Sequence, residues 1–139
     1  MINKGLFTSK TDQWSTPQDF FDEINKEFGF KLDVCADGNN TKCKLFLSKT
    51  EDSLNSDWSS FDGWKWCNPP YGKEISIWVQ KASEERNVVA LLPARTDTRY
   101  FHNYIYNKQN TEIRFIKGRL KFGDSKNSAP FPSMLVIFK

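Results

Sequence analysis

Trp64-Lys65-Trp66-Cys67-Asn68-Pro69-Pro70-Tyr71 is the stretch on which the fold turns. Its first four residues read as a strand, and the two consecutive prolines end it because neither can donate to a ladder. A helix follows, with Ile75, Trp78, Val79 and Ala82 at i, i+3, i+4 and i+7 and with Lys81, Glu84 and Glu85 off that face. Val88-Val89-Ala90-Leu91-Leu92, closed by Pro93, is the unbroken apolar run of a strand buried on both faces. Strand, helix and strand at this spacing predict a crossover and a mostly parallel sheet of the α/β class. In such sheets ligands bind beyond the carboxyl ends of the strands, where Asn68–Tyr71 falls.

The remaining elements extend the same alternation. Upstream, Thr16 suits an N-cap, Pro17 the first helical position and Asp19 the positive helix end. Phe20, Phe21, Ile24 and Phe28 share one face, and Gly29 offers a left-handed stop. Residues 30–36 alternate like a strand, Asp37-Gly38-Asn39-Asn40 reads as a loop, and Lys44–Leu47 as a further short strand. Downstream, Asp97 or Thr98 caps a third helix carrying Phe101, Tyr104 and Ile105, and strands are expected over Glu112–Ile116 and Met134–Phe138. Two further segments therefore end strands: Asp33–Asn40 and Pro93–Asp97.

Composition narrows the class. A chain of 139 residues is the size of one domain and buries about two-thirds of its unfolded surface. Aromatics at 15% argue against disorder. The longest apolar runs fall far short of the ~20 residues of a membrane span, and residues 1–5 lack the apolar core of a secretory signal, so a single soluble intracellular domain is expected. Cys35, Cys43 and Cys67 have no C-x-x-C spacing and only His102 to join them, which favours reduced thiols over a metal site. With 20 basic and 17 acidic residues, a charge of +3 permits nucleic-acid binding without requiring it.

Asn68-Pro69-Pro70-Tyr71 carries the chemistry. Chance supplies this tetrapeptide in only about one chain of this length in two thousand at average residue frequencies. The prolines hold an extended turn, in which the Asn68 side-chain carbonyl and the Pro69 carbonyl stand as adjacent acceptors. Two acceptors match a planar NH2 with two donors, and the Tyr71 ring offers a face on which a base stacks, worth about 1–3 kcal/mol. An exocyclic adenine amine is a poor nucleophile, because its lone pair is delocalised into the ring. Acceptors placed on both N–H bonds stabilise the positive charge that develops as it attacks, and proximity to an in-line sulfonium methyl does much of the rest.

The chain resembles the phage-type DNA N6-adenine methyltransferase (Dam-like) family. The resemblance is carried by Trp14-Ser15-Thr16-Pro17, Leu32–Asp37, Glu51-Asp52, Asp57-Trp58, Asn68–Tyr71, Leu91–Thr98, Lys117–Phe122 and Ala129–Pro132. It implies a reduced Rossmann-like fold with a mostly parallel sheet and a C-terminal antiparallel strand. It further implies S-adenosylmethionine as methyl donor, adenine in DNA as acceptor, a site-specific enzyme, and a phage or prophage gene product acting in the bacterial cytoplasm. Catalytic residues by this resemblance are Asn68, Pro69, Pro70 and Tyr71. Trp14, Thr16, Pro17, Asp33, Ala36, Asp37, Asp52 and Asn68 are expected around the donor. Thr16-Pro17 would hold its amino-acid end, Asp33 or Asp37 would face its methionine part, and Asp52 would meet its adenine. No Gly-rich turn follows residues 32–36, and the eight residues between Ala36 and Leu45 are too few for an ordinary parallel crossover. Strands are therefore expected to be lost or rerouted near this edge.

A duplex hides the adenine amine, so the base must be extruded or the substrate single-stranded, and the approach surface should be basic. Arg95, Thr96, Lys117, Arg119 and Phe122 are the expected DNA contacts, within a basic stretch that also holds Lys121, Lys126 and Phe115. Phe122 is the candidate second face of a base sandwich. Two other readings stay open on the residues alone. One is methylation of another planar amine or amide, in protein glutamine or RNA; the other is an inactive DNA-binding remnant.

Overall fold

The computed structural model describes residues 14–48, 52–123 and 127–139; Glu51, Lys126 and residues 1–5 lie outside them. The long apolar run forms the centre of the sheet, as its composition requires. β4 (Val88–Pro93) and β6 (Ser133–Phe138) are buried along their whole lengths and pair antiparallel, Val88 opposite Phe138 through Pro93 opposite Ser133. On one side of β4 runs the parallel block: β3 (Lys65–Cys67), then β1 (Leu32–Asp33), then β2 (Leu45–Phe46). On the other side β5 (Thr111–Phe115), one residue earlier than expected, pairs antiparallel with β6 at the edge. The order is β2-β1-β3-β4-β6-β5, so β6 alone among these six strands runs against the rest.

Two helices cover the sheet. α1 (Gln18–Phe28) buries Phe21 edge-on against Trp66 at 5.1 Å, and α2 (Ile75–Glu85) buries Ile75, Trp78, Val79 and Ala82. Successive side chains of a strand point to opposite faces. Trp66 therefore meets α1, while the Lys65 amine lies 3.5 Å from the Arg86 carbonyl just beyond α2. Gly29 stops α1 in the left-handed conformation (φ 62°), its N–H donating to the Asn25 carbonyl at 2.8 Å. The third helix is a single π-helical turn, Phe101–Ile105, closed by the Tyr106 N–H on the Phe101 carbonyl. Its cap position is held by Tyr100, not by the expected Asp97 or Thr98, and the Thr98 hydroxyl accepts from the Phe101 N–H at 3.3 Å.

Three expectations are corrected here. Thr16 does not cap α1: Pro17 occupies the cap position, and the Thr16 hydroxyl accepts from Asn68 instead. The alternating segment 30–36 yields a strand of only Leu32–Asp33, because the chain bends after Val34 and the Asp33 carboxylate takes up the Cys35 N–H. Finally, β1 and β2 pair in parallel although no helix separates them. A crossover must carry the chain back along the strand it leaves, and a two-residue strand makes that return short enough for residues 34–44.

Candidate active site

A cavity of about 810 Å³ opens at the carboxyl ends of β1, β2 and β3. The chain turns to β2 on one side of β1 and to β3 on the other, so this is the switch point of the parallel block. Nine expected residues line it: Trp14 and Thr16 ahead of α1, Asp33 at the end of β1, Ala36 and Asp37 after it, Asp52, and Asn68, Pro69 and Pro70 after β3. Pro17 caps the adjacent helix and is not among the lining residues. Tertiary structure adds residues to which no role was assigned from sequence: Cys35, Lys42, Ser53, Glu74 and Trp78 among them. Glu74 was within reach of sequence reasoning, since it lies three residues beyond Tyr71 and directly precedes α2. Lys42 was not, because only the fold of the loop after β1 returns it to Asp33.

The wall is acidic. Asp33, Asp37, Asp52 and Glu74 line it together with Lys42, the one basic residue of the lining among the described residues. Asp33 is only 2% exposed, with its two oxygens accepting from the backbone N–H groups of Cys35 (3.2 Å) and Lys42 (3.0 Å). Burial raises its carboxyl to about pH 6 from an ordinary 3.8, and these hydrogen bonds hold the rise down. Burial likewise pushes the Cys35 and Cys43 thiols up to about 12, and the Cys67 thiol well up. All three cysteines are free thiols and stay protonated at neutral pH. Among the described residues no cluster of His, Cys, Asp and Glu is arranged to hold a metal ion, and no helix is long and apolar enough to cross a membrane.

Asn68 ties the motif to the start of the described chain. Its Nδ2 donates to the Trp14 carbonyl and to Thr16 Oγ1 at 2.9 Å, while Oδ1 lies 2.7 Å from the Tyr71 hydroxyl. That hydroxyl also lies 2.8 Å from the Leu91 carbonyl, so its single proton is shared between two acceptors. Burial keeps the Tyr71 phenol protonated and therefore a donor.

Tyr71 is 5% exposed, with its ring edge-on to Phe122 (6.2 Å, 90°) and Phe131 (5.7 Å, 74°), and Trp14 packs on the same pair. The structure thus brings Tyr71 and Phe122 together, but as perpendicular, buried neighbours rather than as parallel faces with a slot between them. Phe131 completes this cluster.

The remaining expected DNA contacts stand outside the cavity. Arg95 is exposed beyond β4 with its guanidinium 5.6 Å from the Phe131 ring centre, and Thr96 follows it, its carbonyl 2.8 Å from His102 Nε2. Lys117, Arg119 and Lys121 are exposed on the segment after β5, where Arg119 Nη1 reaches the Ala129 carbonyl at 3.5 Å. Phe115 is 62% exposed, whereas Phe122 is buried, so the two aromatics of this stretch occupy different environments. Arg95 and Arg119 thus both reach the segment of residues 129–131, Arg95 at Phe131 and Arg119 at Ala129.

The Asn-Pro-Pro-Tyr corner thus stands at the switch point of an α/β sheet, beside an acidic cleft. The model of the family described as DNA N-6-adenine-methyltransferase (Dam) matches residues 4–139, and the chain belongs to that family. Its six-stranded sheet is accordingly a Rossmann-like methyltransferase fold, mostly parallel with an antiparallel C-terminal strand. The chain is 30% identical over its full length to the "DNA N-6-adenine-methyltransferase" of Haemophilus phage HP1 (strain HP1c1), of which it covers 85%. It is also 42% identical to "Putative methyltransferase YfdM" of Escherichia coli (strain K12), over 43% of this chain and 71% of that protein.

Proposed function

We propose that this protein is a single-domain, S-adenosylmethionine-dependent enzyme that methylates the exocyclic amine of adenine at specific sites in DNA. The observation that carries the reading is the placement of Asn68 and Pro69 on the wall of the same cleft as four carboxylates. The cleft suits the donor in two respects. Its volume lies within the usual ~300–1,000 Å³ of small-molecule sites, and its charge opposes that of a sulfonium and an ammonium. When bound, the donor supplies an electrophilic methyl group on positively charged sulfur. Asp33, Asp37, Asp52 and Glu74 stabilise positive charge in the cleft, and Ala36 and Trp14 contribute to its wall. The Asn68 side-chain carbonyl and the Pro69 carbonyl accept from the amine, which favours its pyramidal, nucleophilic form and the charge that develops on it. Arg95, Thr96, Lys117 and Arg119 meet phosphates, while Tyr71 and Phe122 support the corner on which the base lands. Stacking of the base on Tyr71 would require the Phe122–Phe131 cluster to part.

A methyl-transfer assay with labelled S-adenosylmethionine on duplex DNA, single-stranded DNA and bulk protein tests the reading. Label in N6-methyladenine is expected. Label in protein alone would instead identify a methyltransferase for amide side chains, and no transfer to any acceptor would leave a DNA-binding remnant.

A further inference from the structure

Asn68 can perform the role given to it only in one orientation of its carboxamide. The oxygen and nitrogen ends are nearly the same size, and a half-turn about the last side-chain bond exchanges them. With the nitrogen outward, the group would present N–H donors to an incoming amine, which is itself a donor. Something must therefore hold the nitrogen back.

The two hydrogens of Nδ2 are both engaged, one by the Trp14 carbonyl and one by Thr16 Oγ1 at 2.9 Å. The Trp14 carbonyl is an acceptor only, so it rejects the opposite orientation. Thr16 is 4% exposed and directly precedes Pro17, the cap residue of α1, so its hydroxyl is held in the packed interior beside the helix start. With both donors spent, Oδ1 is the remaining polar atom of a side chain whose residue lines the cleft. It has two lone pairs, and the Tyr71 hydroxyl occupies at most one of them.

We propose that Thr16 is a positioning residue, whose hydroxyl acts with the Trp14 carbonyl to hold the Asn68 carboxamide with its oxygen available to the substrate amine. This rests on the methyl-transfer reading above and departs from it in one respect: the hydroxyl serves Asn68, not the amino-acid end of the donor.

The test compares Thr16→Val, which keeps the shape and removes the hydroxyl, with Thr16→Ser, which keeps the hydroxyl. With S-adenosylmethionine and DNA both saturating, Thr16→Val is expected to lower kcat about tenfold, the loss of roughly one hydrogen bond at the reacting group. Its calorimetric Kd for S-adenosylmethionine should stay within twofold of the wild type, and Thr16→Ser should restore most of kcat. In 15N-labelled protein without ligand, the Asn68 side-chain NH2 should exchange slowly in the wild type and Thr16→Ser, and faster in Thr16→Val. An unchanged kcat in Thr16→Val, or a weakened donor Kd with kcat intact, overturns the proposal. So does rapid exchange of the Asn68 NH2 in the wild type, a measurement that needs neither a folded variant nor an active enzyme. A wild type that transfers no methyl to DNA would instead refute the methyl-transfer reading, and the exchange data would still decide the role of Thr16.

Discussion

Asp33→Asn should change the way stability depends on pH, and the size of the change follows from the geometry of the cleft. The carboxyl is buried, and its folded-state value of about 6 lies above the ordinary 3.8 that it regains on unfolding. Between those values the folded protein holds the proton more tightly than the unfolded chain. Stability from this group is therefore fully present below pH ~4 and is lost as pH rises through about 6. At about 1.36 kcal/mol per pH unit the loss amounts to about 3 kcal/mol, an order-of-magnitude figure. Asparagine does not titrate, so the variant lacks this slope. Its NH2 end cannot accept from one of the two backbone N–H groups now bound by the carboxylate, those of Cys35 and Lys42, which adds a pH-independent cost of about 1–3 kcal/mol. Urea unfolding of both proteins from pH 4 to pH 7 should show the variant gaining about 3 kcal/mol on the wild type across that range. A difference constant within about 0.5 kcal/mol would refute the claim that Asp33 is a desolvated, titrating carboxyl. A cation bound beside Asp33 would draw off its proton. S-adenosylmethionine should therefore bind the wild type more tightly as pH rises to about 6 and level off beyond it, with no such rise in the variant.

Other outcomes follow from the same contacts. Asn68→Ala should abolish methyl transfer while leaving S-adenosylmethionine binding by calorimetry within a few fold, and near-normal turnover would contradict the role of the carboxamide. Tyr71→Phe removes the proton shared by Asn68 Oδ1 and the Leu91 carbonyl, and should lower stability by about 1–2 kcal/mol in urea unfolding. Arg86 donates to the carbonyls of Ser83, Gln109, Asn110 and Lys139, joining the end of α2 to both edge-side strands. Arg86→Ala should cost about 2 kcal/mol by the same measurement. DNA affinity measured from 50 to 200 mM salt should fall steeply, and a flat response would show that Arg95, Arg119 and Lys117 do not meet phosphates.

Much of the scaffold was legible because it rests on local chemistry. The apolar run at residues 88–92, the four apolar positions of α2 and the glycine after α1 each announce an element through a pattern that needs no distant partner. Strand lengths were less legible: residues 30–36 alternate throughout, yet pairing is confined to Leu32–Asp33, since a ladder also requires a neighbour that keeps pace. Thr16 misled for a related reason. A threonine before a proline reads as a cap, but a hydroxyl bonds whatever acceptor or donor the fold brings closest, here the Asn68 amide.

The site divides along the same line. The chain order alone marked the Asn-Pro-Pro-Tyr corner and the acids after the first strand, because residue type and strand ends determine what chemistry a loop can offer. Folding decided which of those groups share a cleft, how the carboxamide of Asn68 is turned, and that Tyr71 and Phe122 meet edge to face in the interior. Those outcomes depend on contacts between residues more than fifty positions apart, such as Trp14 with Asn68 and Trp14 with Phe122. Residue identity specifies what each side chain is able to donate, accept or bury. Only the packed structure, in which every buried polar group must find a partner at fixed distance, selects which of those possibilities is realised.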